Sequence, residues 1–134
     1  MGIFDLPLDE LKKYKGTNPR PADFDDFWQR SMDELNSIPP KTEIVRSGIE
    51  VPFADCYSLY FMGTKDSKIH AKLIIPKNIK EHVPAVLRFH GYSVSSNNWT
   101  IGFIYSAAGY VYAALDCRGQ GGSVSYTHLR AHET

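Results

Sequence analysis

The apolar positions of this chain follow two regimes. Up to about residue 38 they recur every third or fourth position, as helices require; from residue 42 they alternate or run in short blocks, as strands do. In the first regime Leu8, Leu11 and Tyr14 predict a short helix over residues 5–15, closed by the breaker cluster Lys15-Gly16-Thr17-Asn18-Pro19-Arg20-Pro21. Asp23 then suits an N-cap. Phe24, Phe27, Trp28, Met32 and Leu35 predict a second helix that ends near Asn36, ahead of Ile38-Pro39-Pro40. Its aromatic stripe is expected to be a packing surface rather than a ligand platform.

In the second regime residues 41–47, 54–61 and 68–76 read as three strands, with Gly63-Thr64-Lys65-Asp66 as a turn. In the third, Ile69, Ala71, Leu73 and Ile75 alternate with His70, Lys72 and Ile74. That is the pattern of a half-exposed antiparallel strand, and it puts His70 at the surface. The largely apolar run from Val83 to Phe89 stops abruptly at His90-Gly91-Tyr92 and reads as a buried parallel strand covered on both faces. Polar residues 93–98 follow, then a helix over 99–108 carried by Trp99, Phe103, Ile104 and Ala107, with Gly109 as its stop. Residues 110–115 are a second short apolar strand, ended by Asp116-Cys117-Arg118-Gly119-Gln120-Gly121-Gly122. Strand, helix and strand make a βαβ unit with a right-handed crossover. Antiparallel strands feeding a βαβ unit are the opening half of a mixed α/β sheet, and no internal repeat is present.

In open α/β sheets, chemistry collects at the C-terminal ends of the parallel strands, where loops converge. A glycine there lets the backbone approach a ligand and aim N–H groups at developing negative charge. His90-Gly91-Tyr92 is therefore expected to form half of an anion-binding site.

Composition narrows the partners. Of 134 residues, 43% are hydrophobic, and fifteen acidic residues balance fifteen basic ones, so charge gives no argument for nucleic acid or an anionic membrane. No apolar run approaches the roughly 20 residues of a membrane span. The N-terminal MGIFDLPLDELKKY lacks the apolar core of a signal peptide, and Leu6 stands where a myristoylation signal has Ser or Thr. Cys56 and Cys117 are then expected to be free thiols in a cytoplasmic protein, with Cys117 a small buried residue. Asn98-Trp99-Thr100 is a glycosylation sequon by letters only.

Phe4-Asp5-Leu6-Pro7-Leu8 with Leu11-Lys12-Lys13-Tyr14, Asp23-Phe24-Asp25 with Phe27-Trp28, residues 84–92, Trp99, Gly109-Tyr110 and Asp116-Cys117-Arg118-Gly119-Gln120-Gly121 form an ordered series. Together they resemble the acetyl xylan esterase and cephalosporin-C deacetylase family of carbohydrate esterases. The resemblance implies an α/β-hydrolase fold, and deacetylation of small acetylated sugars and antibiotic esters by a Ser-His-Asp triad. It also implies no metal or cofactor and a homo-hexamer. Carried over by position, Tyr92 would donate its backbone N–H to the oxyanion hole and contact substrate. His90, Gly91, Asp116, Arg118 and Gly119 would be structural turn residues. Trp99 lines the acyl or sugar pocket, or packs in the core.

The chain departs from that family in its second half. The nucleophile of this fold sits in a G-x-S-x-G elbow directly after a strand, and no such sequence occurs here. Gly121-Gly122-Ser123-Val124-Ser125 lacks the last glycine, and residues 118–121 separate it from its strand, so Ser123 is not expected to be a nucleophile. Loop polarity accounts for Ser93, Ser95 and Ser96. Residues 124–134 have no counterpart in the family and resemble translated sequencing adapter. His128, His132 and Glu133 do not make a zincin, because Leu129 stands where the general base belongs. The expectation is a partial α/β-hydrolase domain over 1–123, truncated before the nucleophile elbow, followed by a non-native tail at 124–134. None of the triad members is present, so the polypeptide is expected to be catalytically inactive. Two alternatives compete: a fragment of another α/β-hydrolase (peptidase- or lipase-like), and a small non-enzymatic α/β binding domain. The latter must tolerate an unpaired hydrophobic strand.

Overall fold

The computed structural model describes residues 5–80, 82–92, 94–96, 98–118 and 120. The chain divides into two compact units, Met1–Asp33 and Glu34–Thr134. The stretch from 124 onward, with Ser123, His128, His132 and Glu133, lies outside the described residues, as do Ser93 and Gly119.

In the first unit helix α1 spans only Leu8–Leu11. Pro7 sets its start, with φ −54° and a carbonyl that accepts the Glu10 and Leu11 N–H groups at 2.9 Å. A single turn lacks the length to propagate into the breaker cluster, so the helix expected over 5–15 is shorter. Helix α2, Phe24–Ser37, is close to the expected segment. The Asp23 carbonyl takes the first intrahelical bond, from Phe27 N–H at 2.8 Å, which places Asp23 at the N-cap. Arg20 pairs with Asp25 and lies 4.5 Å from the Phe24 ring centre. The aromatic stripe is present, and no residue of α2 is buried.

The second unit is a five-stranded sheet in the order β1-β2-β3-β5-β4. Strands β1 (Glu43–Val51), β2 (Ala54–Met62) and β3 (Lys68–Pro76) form an antiparallel meander. A bulge at Gly48, φ +77°, carries β1 beyond its expected end. Lys65 and Asp66 turn between β2 and β3 with φ near +54° and +53°. Strand β4 (Ala85–Phe89) leads through helix α3 (Thr100–Ala107) to β5 (Val111–Leu115), which inserts between β3 and β4. β5 runs parallel to β4 and antiparallel to β3.

The core lies on the sheet face under α3. Ala54, Cys56, Ile74, Tyr112 and Ala114 are buried there, and Val51, Val86, Trp99, Ile101 and Phe103 pack against them. Trp99 is thus a packing residue. Gly102 permits the close approach: a side chain on it would begin 2.4 Å from Ile74 Cδ1 and 2.5 Å from the Tyr112 ring.

Strand β4 differs from expectation. It pairs in parallel, but it is the edge of the sheet, and Leu87 and Phe89 are each 59% exposed. Only the face bearing Val86 and Arg88 is partly covered. A short apolar run identifies a strand without stating how many neighbours it has.

Candidate active site

The parallel register pairs Phe89 with Leu115, so the chain leaves β4 at His90 beside the point where it leaves β5 at Asp116. His90 joins the two exits. Its Nε2 accepts the Cys117 N–H at 2.9 Å, which leaves Nδ1 to carry the proton that it donates to the Gly91 carbonyl at 2.8 Å. Among the described residues nothing lies within 4 Å of where a Gly91 side chain would start. Tyr92 is 83% exposed, and its N–H has no hydrogen-bond partner among the described residues. The exit thus presents a backbone donor to solvent beside a fixed imidazole.

Asp116 is buried and uses both carboxylate oxygens. Oδ1 accepts the Ser96 N–H at 2.5 Å, and Oδ2 lies 2.6 Å from His70 Nδ1. Its own N–H donates to the His70 carbonyl at 2.9 Å. Burial alone would push the Asp116 carboxyl up. The bonds from His70 and Ser96, with the charge of His70, outweigh burial and bring it down to about 2. Lys72, on the same face of β3, sits 5.7 Å from the Trp99 ring centre. Burial pushes its ammonium down, and the Asp116 charge acts in the opposite sense. Arg118 reaches back to the β2–β3 turn, donating to Thr64 Oγ1 at 3.1 Å. Cys117 is half-buried.

Among the site residues expected from sequence, His90, Gly91, Tyr92 and Asp116 come together at the paired strand ends. Arg118 instead bonds the turn between β2 and β3. His70 is not the surface residue that alternation suggested: its side chain is 16% exposed and bonded to Asp116. Its position shares a face with Ile74, which is fully buried. Helix α3 packs on that face, with Gly102 against Ile74, so the nominally polar side of β3 is also covered. Ser96, 3% exposed, does more than make a loop polar, because its amide donates to the buried Asp116 carboxylate. No local motif announces either residue; the face shared with Ile74 was the available signal for His70. Among the described residues no group of three His, Cys, Asp or Glu side chains could hold a metal ion, and no helix is long and apolar enough to cross a membrane.

Comparisons with known proteins bear on the family and the fold. A family model described as acetyl xylan esterase matches residues 1–133. Acetyl xylan esterase 1 from Thermoanaerobacterium sp. JW/SL YS485 is similar at 51% identity and a TM-score of 0.83, over 90% of this chain. An acetyl xylan esterase from Paenibacillus sp. R4 is similar at 26% identity and a TM-score of 0.77, over 87% of this chain. In each case the match covers 38% of the longer chain.

Proposed function

From the membership of this chain in the acetyl xylan esterase family, we propose that it contributes the oxyanion side of a serine carboxylic-ester hydrolase. The substrates are acetyl esters of small sugars and related antibiotic esters of the cephalosporin-C type. The observation that carries the proposal is the Tyr92 N–H, without a hydrogen-bond partner among the described residues, at a strand exit that His90 ties to the neighbouring strand. Such a donor suits the negative oxygen that appears when a serine attacks an acetyl carbonyl. The nucleophile, its histidine base and the acid belong to residues other than those present here, because the sequence holds no G-x-S-x-G elbow. The chemistry calls for no metal or cofactor. On the same reading the whole enzyme is a cytoplasmic homo-hexamer, and this chain carries part of its α/β-hydrolase domain in residues 1–123, followed by a non-native tail at 124–134.

The test is an extended chain carrying the sequence encoded downstream of Ser123 in intact genomic DNA. It should hydrolyse p-nitrophenyl acetate and acetylated xylose, and should lose activity when the serine of its elbow becomes alanine. A stop codon directly after Thr134 at the intact locus would sink the proposal.

A further inference from the structure

We propose that His70 and Asp116 are positioning residues that hold the Tyr92 N–H in its donor direction, acting through the amide of Ser96. The proposal rests on the reading of Tyr92 as an oxyanion donor. An exposed residue that packs on little must take its backbone direction from the anchors on either side of it in the chain. For Tyr92 the upstream anchor is His90, bonded across to Cys117 N–H. The downstream anchor is Ser96, four residues on, whose amide is fixed to Asp116 Oδ1. Asp116 can serve as an anchor because His70 occupies its second oxygen and, through its carbonyl, its own N–H. The carboxylate has no rotation left that keeps both bonds.

Strand pairing does not account for these side chains. The β3–β5 ladder is built from backbone groups, and it would stand with any side chain of suitable size at position 70. Yet the imidazole and the carboxylate meet each other, and the carboxylate then reaches out of the sheet to the segment that follows Tyr92. A hydrogen bond to a charged acceptor is stronger than one between neutral groups, which suits an anchor. His70 also rests against the Tyr60 ring, 5.1 Å between ring centres, so the imidazole is itself held from a third strand.

The experiment uses the 134-residue chain labelled with nitrogen-15, and needs no ester. Backbone order parameters and amide exchange are measured for Tyr92 and Ser96, with Ile74 and Tyr112 as reference positions in the core. In wild type, Tyr92 should show an order parameter near that of rigid backbone, about 0.85. His70→Leu and Asp116→Ala should bring Tyr92 below about 0.6 and raise Ser96 exchange about tenfold or more. His70→Gln, which retains a donor to the carboxylate, should restore most of both. Ile74 and Tyr112 should not change. Three results would overturn the proposal: a Tyr92 already mobile in wild type, a Tyr92 and Ser96 unaffected by His70→Leu, or exchange that rises equally at Ile74 and Tyr112. The last would make the pair a support of the whole fold. Should Asp116→Ala fail to fold, His70→Leu and His70→Gln decide the matter alone. Failure of the esterase reading would appear only in the ester assay on the extended chain, so the two outcomes stay separate.

Discussion

At the scale of single residues, Asp116 and Gly102 carry the firmest expectations. The Asp116 carboxyl titrates at about 2 in the fold against an ordinary 3.8, so the folded state favours its charged form. That contribution to stability is fully present above about pH 3.8 and is lost as pH falls through about 2. A fall from 3.8 to about 2 corresponds to about 2 kcal/mol. Urea unfolding at pH 5 and pH 2 should show the difference between wild type and Asp116→Asn shrinking by that amount. Equal differences at both values would mean that the carboxylate charge contributes nothing. Gly102→Ala tests the core. The helix alone would gain up to about 1 kcal/mol from alanine, but the new methyl would start 2.4 Å from Ile74 Cδ1 and 2.5 Å from a Tyr112 ring already stacked on Tyr105. Overpacking of this kind costs about 1–3 kcal/mol, so the denaturation midpoint should fall. The sequence offers Asp116 as a structural residue of the turn after β5, but its bonds go to His70 and Ser96 in other segments, which no local pattern announces. His70 lies 46 positions earlier and meets Asp116 only through strand pairing.

At the scale of elements, the strands were read more accurately than their surroundings. Period-two alternation and β-branched runs reveal β3 and β5, and the helical stripe reveals α2, because those signals are local. What covers an element is a non-local property. The local pattern therefore suggests a β4 covered on both faces and a half-exposed β3, whereas among the described residues β4 is the sheet edge and α3 packs over the β3 face that carries Ile74. The edge has a register of its own. Pro84 C=O accepts the Val111 N–H at 3.1 Å, so the even-numbered positions of β4 face β5. The N–H and C=O groups of Ala85, Leu87 and Phe89 consequently point outward, and the side chains of Leu87 and Phe89 are exposed beside them. An open apolar edge pairs with whatever strand it meets. Replacing Leu87 and Phe89 together by lysine should lower concentration-dependent light scattering of the 134-residue chain and leave its circular dichroism unchanged. Scattering that stayed the same would place the association at another surface.

At the scale of the whole molecule, the question is what a chain spanning 38% of its structural relatives can do by itself. The fold could be recognised because a series of weak pieces kept its order from residue 4 to residue 121. The site is harder to recognise, because the proposed oxyanion donor is a backbone group and has no side-chain signature. The structure nevertheless contains one arrangement that resembles catalytic machinery, the His70–Asp116 pair at 2.6 Å. Geometry argues against using it as an acid–base dyad. The imidazole is mostly enclosed, with Asp116 at Nδ1 and the Tyr60 ring beside it, and Asp116 spends its other oxygen on the Ser96 amide. A base must reach the proton it removes from a nucleophile exposed to substrate. The 134-residue chain should therefore hydrolyse p-nitrophenyl acetate no faster than buffer at equal pH. The His70→Gln variant should be indistinguishable from wild type in that assay, although it is the substitution best suited to abolish a histidine base while keeping its bond to Asp116. Turnover above buffer that disappears in His70→Gln would make the pair catalytic and would reverse the assignment of His70 as a residue that only positions.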